Sequence, residues 1–224
     1  MASSGTVGFN LSLLEILEEA WERATTRELR TGYDFRTATR SYNLLMLEWQ
    51  TRGYNLWTVE SAPLTLVAAQ AVYTLPTNAL DVVVVTYAKS STSARSLTRV
   101  SLPDYTAIPN KAVAGTPSSY TTNRSVAAPT ITLYPVPDNT VDVLTVWYTR
   151  RIQDAGTGVN TADVPALFLP ALIAGVAYQI AKKTPDGLGR IQALQADYEQ
   201  LFDDATSDDR DKASAQFVPM YYEL

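Results

Sequence analysis

The stretch Glu48-Trp49-Gln50-Thr51-Arg52-Gly53-Tyr54-Asn55-Leu56-Trp57-Thr58-Val59-Glu60 is where the chain changes period. Before Gly53, apolar residues recur every three to four positions. Ala38, Tyr42, Leu45 and Trp49 share one face of a helix predicted from about Phe35 to Arg52, with Leu44 and Leu47 beside it. Gly53 stands where a left-handed C-terminal cap is wanted. From Tyr54 to Arg151 the period becomes two, the mark of half-buried strands. A helical segment thus hands over to a β-rich one within a few residues.

Upstream lies another helix. Ser12 and Glu15 have capping-box spacing, in which a hydroxyl and a carboxylate satisfy free amides at a helix start. Leu13, Leu14, Leu17, Ala20, Trp21 and Ala24 then form an apolar stripe. Glu15, Glu18, Glu19 and Glu22 come early and Arg23, Arg27 and Arg30 late, an order that suits the helix dipole. The Thr31-Gly32 step breaks the pattern.

Downstream, strands are predicted at Val72–Leu75, Val82–Tyr87, Ser96–Val100, Ser119–Thr122, Thr130–Tyr134 and Val141–Tyr148, all rich in β-branched and aromatic residues. Asp138-Asn139 reads as a hairpin turn between the last two. Only 11 residues in 55–150 are charged, which fits either a sheet covered by neighbours or one whose exposed face is Thr and Ser. From Asp163 the period returns to 3.6. Asp163 is a candidate cap and Pro165 suits a first turn. Phe168, Leu172, Val176 and Ile180 mark the core stripe, with Leu169 and Ile173 alongside. Ala171, Ala174, Gly175 and Ala177 are small enough for close helix approach. After Thr184-Pro185-Asp186-Gly187, a last helix at roughly 188–206 uses Ile191, Leu194, Tyr198 and Leu201.

These readings predict an α+β fold. A helix pair (1–54) and a second helix pair (156–206) complete one small antiparallel bundle. An antiparallel β-rich lobe (55–155) is inserted between them, and 207–224 is an acidic linker with an extended C-terminal arm.

Composition removes many chemistries. The chain has 224 residues and neither His nor Cys, so disulfides, Cys/His zinc sites and His-dependent nucleophile systems are excluded. Its net charge of −5 is local: residues 197–212 hold seven acids against Arg210 and Lys212, and the remainder is neutral. A neutral body without a dense Lys/Arg cluster is unlike a generic nucleic-acid binder. The apolar stretch 164–181 is interrupted by Pro165, Pro170 and Gln179 and falls short of a membrane span, and the N-terminus lacks a signal peptide's basic region. A soluble chain needing no cofactor is expected.

Carboxylates are the remaining catalytic groups. Asp81 reads as a strand start, Asp104 as a turn residue, Asp138 as part of the hairpin and Asp142 as outward-facing between Val141 and Val143. A carboxylate-dependent glycoside hydrolase would need two such acids flanking one bond in a groove. A carbohydrate-binding β module would need Trp57 and Trp147 exposed on one face; both are expected to be largely buried. The acids at 203–211 lack the spacing of a calcium loop, and Gly156-Thr157-Gly158 lacks a phosphate-cradle pattern. Arg23, Arg27, Arg30, Arg36 and Arg40 are spaced to form a basic face, either solvated or meeting an acidic partner such as the acidic segment of a neighbouring copy. Phe217, Val218, Met220, Tyr221, Tyr222 and Leu224 follow the charged linker. Their aromatic and Met character is that of an interface anchor; folding back on the chain's own domain is the other reading.

The run Tyr33–Glu60, with its Gln50-Thr51-Arg52-Gly53-Tyr54 turn and Trp57, resembles the second helix and first strand of bacteriophage head-to-tail adaptors, the tail tubular A-type proteins of short-tailed phages and their relatives. Ala71–Pro76, Val164–Phe168 and Val176–Ala181 agree in order; 90–128 has no matching feature. The resemblance implies a non-enzymatic structural protein of the virion, present in host cytoplasm before assembly. It implies a homo-oligomeric twelve-fold ring at the head-tail junction, joining portal and tail nozzle proteins. DNA would pass through the lumen without specific binding, and no membrane is involved. On this resemblance Phe217, Val218, Met220, Tyr221, Tyr222 and Leu224 become portal-docking residues.

Overall fold

The computed structural model describes residues 5, 8–9, 11–28, 31–53, 56–89, 93–125 and 129–208. The chain divides into two compact units, Met1–Leu56 with Gln153–Leu224, and Trp57–Ile152.

The first unit is helical. Helix α1 (Leu13–Ala24) begins at Ser12, whose hydroxyl accepts from the Glu15 amide while the Glu15 carboxylate accepts from the Ser12 amide at 2.7 Å. Its buried face is Leu13, Ile16, Leu17, Ala20, Trp21 and Ala24. Ile16 belongs to the stripe and Leu14, 42% exposed, does not, because one residue is a 100° step away from Leu13. Helix α2 (Gly32–Arg52) starts earlier than predicted. The Thr31-Gly32 step is its capped beginning, with Thr31 and Asp34 forming a second reciprocal capping box. Gly53 ends it with φ of 79°. Ser41 and Met46 are buried on α2, whereas Leu44 and Leu47 are more than half exposed.

Two further helices complete the unit, α4 (Leu169–Ala181) and α5 (Ile191–Asp208). The single stripe predicted for α4 understates it: Ala171 through Ala177, Ile180 and Ala181 are all buried, because α1, α2 and α5 all pack on it. A Cβ on Gly175 would lie 2.7 Å from Leu45 Cδ2 and 2.9 Å from Tyr198 Cε2, so the small residues do permit close approach. Asp163 caps no helix. Its carboxylate accepts from the Gln153 amide at 2.9 Å, and a 3-10 turn at Ala166–Phe168 leads into α4. On α5 the buried residues are Leu194, Tyr198, Phe202, Ala205 and Thr206, with Leu201 only half-buried.

The second unit holds two four-stranded sheets. One has the order β1-β8-β3-β4, with β1 at Val59–Thr65, β3 at Ala79–Lys89, β4 at Ser93–Ser96 and β8 at Val143–Arg150. The other has the order β2-β7-β6-β5, with β2 at Val72–Thr74, β5 at Thr98–Arg99, β6 at Ser119–Asn123 and β7 at Thr130–Tyr134. All pairings are antiparallel except β5–β6. Tyr73, Tyr120, Ile131 and Leu133 of one sheet share a core with Val82, Val85, Tyr87, Leu144, Val146 and Tyr148 of the other. A bulge between Val82 and Val84 leaves Val83 outside and turns Val82 and Val85 inward. A short helix, α3 (Leu102–Ala107), follows β5, and Asp104 sits in its first turn rather than in a bare turn.

Three further expectations fail here. The predicted strand Ser96–Val100 is two strands in different sheets, with Leu97 buried at the crossing. Asp138-Asn139 makes no hairpin, since β7 and β8 belong to different sheets and the connection between them changes layers. Asp142 faces inward, 4% exposed, because it precedes β8 and does not share that strand's alternation.

Candidate functional site

In the β unit the acids are engaged by neighbours. Asp81 pairs with Arg99 at 3.1 Å and with Arg124. Partial burial pushes its carboxyl up, but hydrogen bonds from Arg99, the Val82 amide and Arg124 prevail and hold it below the usual aspartate range. Glu60 accepts from Arg150 Nε at 2.8 Å and from the Tyr148 hydroxyl at 3.1 Å. Asp142 accepts from the Tyr87 hydroxyl and from Asn139 Nδ2. Burial pushes both tyrosines up, and the carboxylate each one meets adds to the shift. Asp138 accepts from Asn139, and Asp104 accepts from the Ser101 hydroxyl. Asp81, Glu60 and Asp142 tie strands and loops of the sheets together, whereas Asp138 and Asp104 make only local turn and cap bonds. Trp147 is 42% exposed on β8, against expectation, because it falls on that strand's outward alternation; Trp57 is half-buried in the turn before β1.

The residues of the period change clamp the helical unit. Trp49 Nε1 donates to the Tyr198 hydroxyl at 2.9 Å, and the Trp49 ring packs on Phe168 and Phe202. Arg52 pairs with Glu48 and lies 4.6 Å from the Phe202 ring centroid. Burial pushes the Tyr198 hydroxyl up to about 12. The arginine-glycine turn therefore ends α2 and holds α5 against it.

Four of the five predicted arginines lie among the described residues, each with a local partner. Arg23 pairs with Glu19 at 2.8 Å. It borders an apolar cavity of about 650 Å³ lined by Phe9, Leu11, Leu167, Leu169, Pro170 and Ile173. Arg27 pairs with Asp186 at 3.0 Å. Arg36 Nε donates to the Gly32 carbonyl and Arg40 Nε to the Arg36 carbonyl. Arg30 lies outside the described residues.

Arg27 and Arg40 do meet, around a second cavity of about 500 Å³. Trp21, Asp34, Thr37, Leu44, Lys183 and Thr184 also line it. Lys183 Nζ donates to Ser41 at 3.0 Å. Desolvation, with Arg40 and Lys182 nearby, pulls the Lys183 ammonium below the usual lysine range. Sequence reasoning missed Lys183 and Trp21 here. The Lys182-Lys183 pair closing α4 was the available signal, and the indole was assigned wholly to the core. The arm residues Phe217, Val218, Met220, Tyr221, Tyr222 and Leu224 lie outside the described residues. Among the described residues no helix is long and apolar enough to cross a membrane, and no acid cluster could hold a metal ion.

A family model described as SU10 adaptor protein matches residues 9–220. This chain belongs to the SU10 adaptor protein family. It is a family of phage head-to-tail adaptors. No curated protein matches the sequence. The matched span of the adaptor takes in both units and extends through the acidic segment into the C-terminal stretch.

Proposed function

We propose that this adaptor is a non-enzymatic structural protein of the virion, forming a homomeric ring that joins the portal to the tail nozzle at the head-tail junction. The family match over 9–220 carries the reading, because it spans the whole described architecture rather than one lobe. Ring formation is heterologous, one side of each subunit meeting the opposite side of the next. The copy number of twelve, residence in host cytoplasm before assembly, and DNA passage through the lumen come from the family resemblance. The charge balance outside 197–212 supports a lumen that does not grip phosphates. Braced carboxylates in the β unit support a scaffold in place of a hydrolase.

The two units act as separate lobes of each subunit. The apolar tip Phe217, Val218, Met220, Tyr221, Tyr222 and Leu224 docks on the portal, with the acidic segment as its solvated stem. Arg23, Arg27, Arg30, Arg36 and Arg40 contribute to contacts between subunits. Deleting 213–224 is expected to abolish co-sedimentation with purified portal while leaving circular dichroism and the melting transition unchanged. Wild-type portal binding by the truncated chain would overturn the arm assignment.

A further inference from the structure

Among the described residues two buried side-chain atoms have no hydrogen-bond partner, Trp21 Nε1 and Thr37 Oγ1, and both residues line the cavity between α1, α2 and the end of α4. Trp21 is 2% exposed. A buried polar atom left unpaired costs about 1–3 kcal/mol, so these two mark this wall as the least satisfied part of the helical unit. The cavity's chemistry states which kind of ligand suits it. An indole N–H can only donate, a threonine hydroxyl can donate, and Arg40 and Lys183 are cations, with Arg27 beside them already paired to Asp186 at 3.0 Å. The one acid of the lining, Asp34, accepts from the Thr31 amide at 3.3 Å in the capping box of α2. Leu44, Tyr33 and Pro185 make the rest of the wall apolar. Donors, cations and a partly dry wall suit a carboxylate carried on a side chain, which forms short charge-assisted bonds there.

We infer that this cavity receives an aspartate from the acidic end of α5 of a second copy of the chain. The inference rests on the ring reading above and adds a specific contact to it. Charge complementarity selects the occupant: the chain's whole net charge resides in 197–212, and Asp203 and Asp204 are exposed with no ion pair among the described residues. Geometry excludes the same copy's helix-borne acids. The cavity lies at Lys183–Pro185, before α5 begins, and at Thr37–Leu44 in the middle of α2. Tyr198 and Phe202 of α5 instead meet Trp49 and Arg52, at the other end of α2. From Ile191 to Asp204 a helix rises about 20 Å, which carries these acids away from their own cavity. Each copy therefore presents the acid at one end and the cavity at the other, the head-to-tail arrangement that closes rings.

Two measurements test this. The full chain with ¹⁵N-labelled tryptophan is titrated with a peptide of residues 201–212, with inorganic phosphate and with duplex DNA. The peptide is expected to shift the Trp21 indole resonance saturably, and Lys183→Glu or Arg40→Glu, both at exposed positions, weakens it at least tenfold. A shift with phosphate or DNA but not peptide, or no shift at all, overturns the inference. Because the chain lacks cysteine, Arg40→Cys and Asp204→Cys chains can be mixed, assembled on portal and oxidised. A mixed disulfide dimer is expected. Rings that form without it overturn the contact and leave the ring reading standing; failure to form any ring sinks the ring reading, and the titration still decides the cavity's ligand.

Discussion

The two units finish their interiors differently. In the β unit, buried polar groups find partners within the unit: Tyr87 has Asp142, Tyr148 has Glu60, and the Tyr73 hydroxyl accepts from the Val67 amide at 2.9 Å. The helical unit brings its helices into contact across Gly175 and bonds Trp49 to Tyr198, yet among the described residues it leaves Trp21 Nε1 and Thr37 Oγ1 unpaired beside a cationic cavity. Among the described residues the unpaired buried side-chain atoms fall in the helical unit alone, and on the inference above a second copy completes it.

The strongest way to break this contrast is to overfill the helical unit. Gly175→Val should destabilise the protein by about 3 kcal/mol, since its new atoms meet Leu45 and Tyr198 at under 3 Å. Hydrogen exchange resolved by segment should show lost protection in α4 and α5 but not in β3 and β8; uniform loss would mean that the units do not fold separately. Next comes Asp142→Ala, which removes the buried acceptor shared by the Tyr87 hydroxyl and Asn139 and should cost about 2 kcal/mol, read as lost protection in β3 and β8. Ser12→Ala removes the capping box of α1 and should cost about 1 kcal/mol, confined to the helical unit. The smallest effect belongs to Asp81, whose ion pairs are partly solvated. Its folded pKa is depressed, so its contribution is present above the ordinary aspartate range near pH 4 and is lost as pH falls through the lowered value. Asp81→Asn should flatten the acid limb of the β-unit stability curve, and an unchanged limb would remove Asp81 from the account.

Legibility in the sequence follows the same division. Ser12 and Glu15, Gly53, the small residues of α4 and the break at Thr184–Gly187 were all readable, because helix signals lie within four residues of one another. Leu14, Leu44 and Leu47 misled because an apolar residue beside a stripe looks the same whether it faces core or water. In the β unit the strand positions were readable but their partners were not. Nothing local states that Leu97 and residues 135–142 change sheets, and from that came the false hairpin and the misplaced Asp142. The cavity joins Trp21, Thr37 and Lys183 across more than 140 residues of chain, so neither period nor spacing could disclose it.

The central claim is that this adaptor becomes a ring on the portal. Electron microscopy of the full chain mixed with purified portal protein of the same phage tests it most directly. The account predicts a second ring stacked coaxially on the portal with the portal's rotational symmetry. Scattered single subunits on the portal, or portal rings left bare at saturating adaptor, would contradict it.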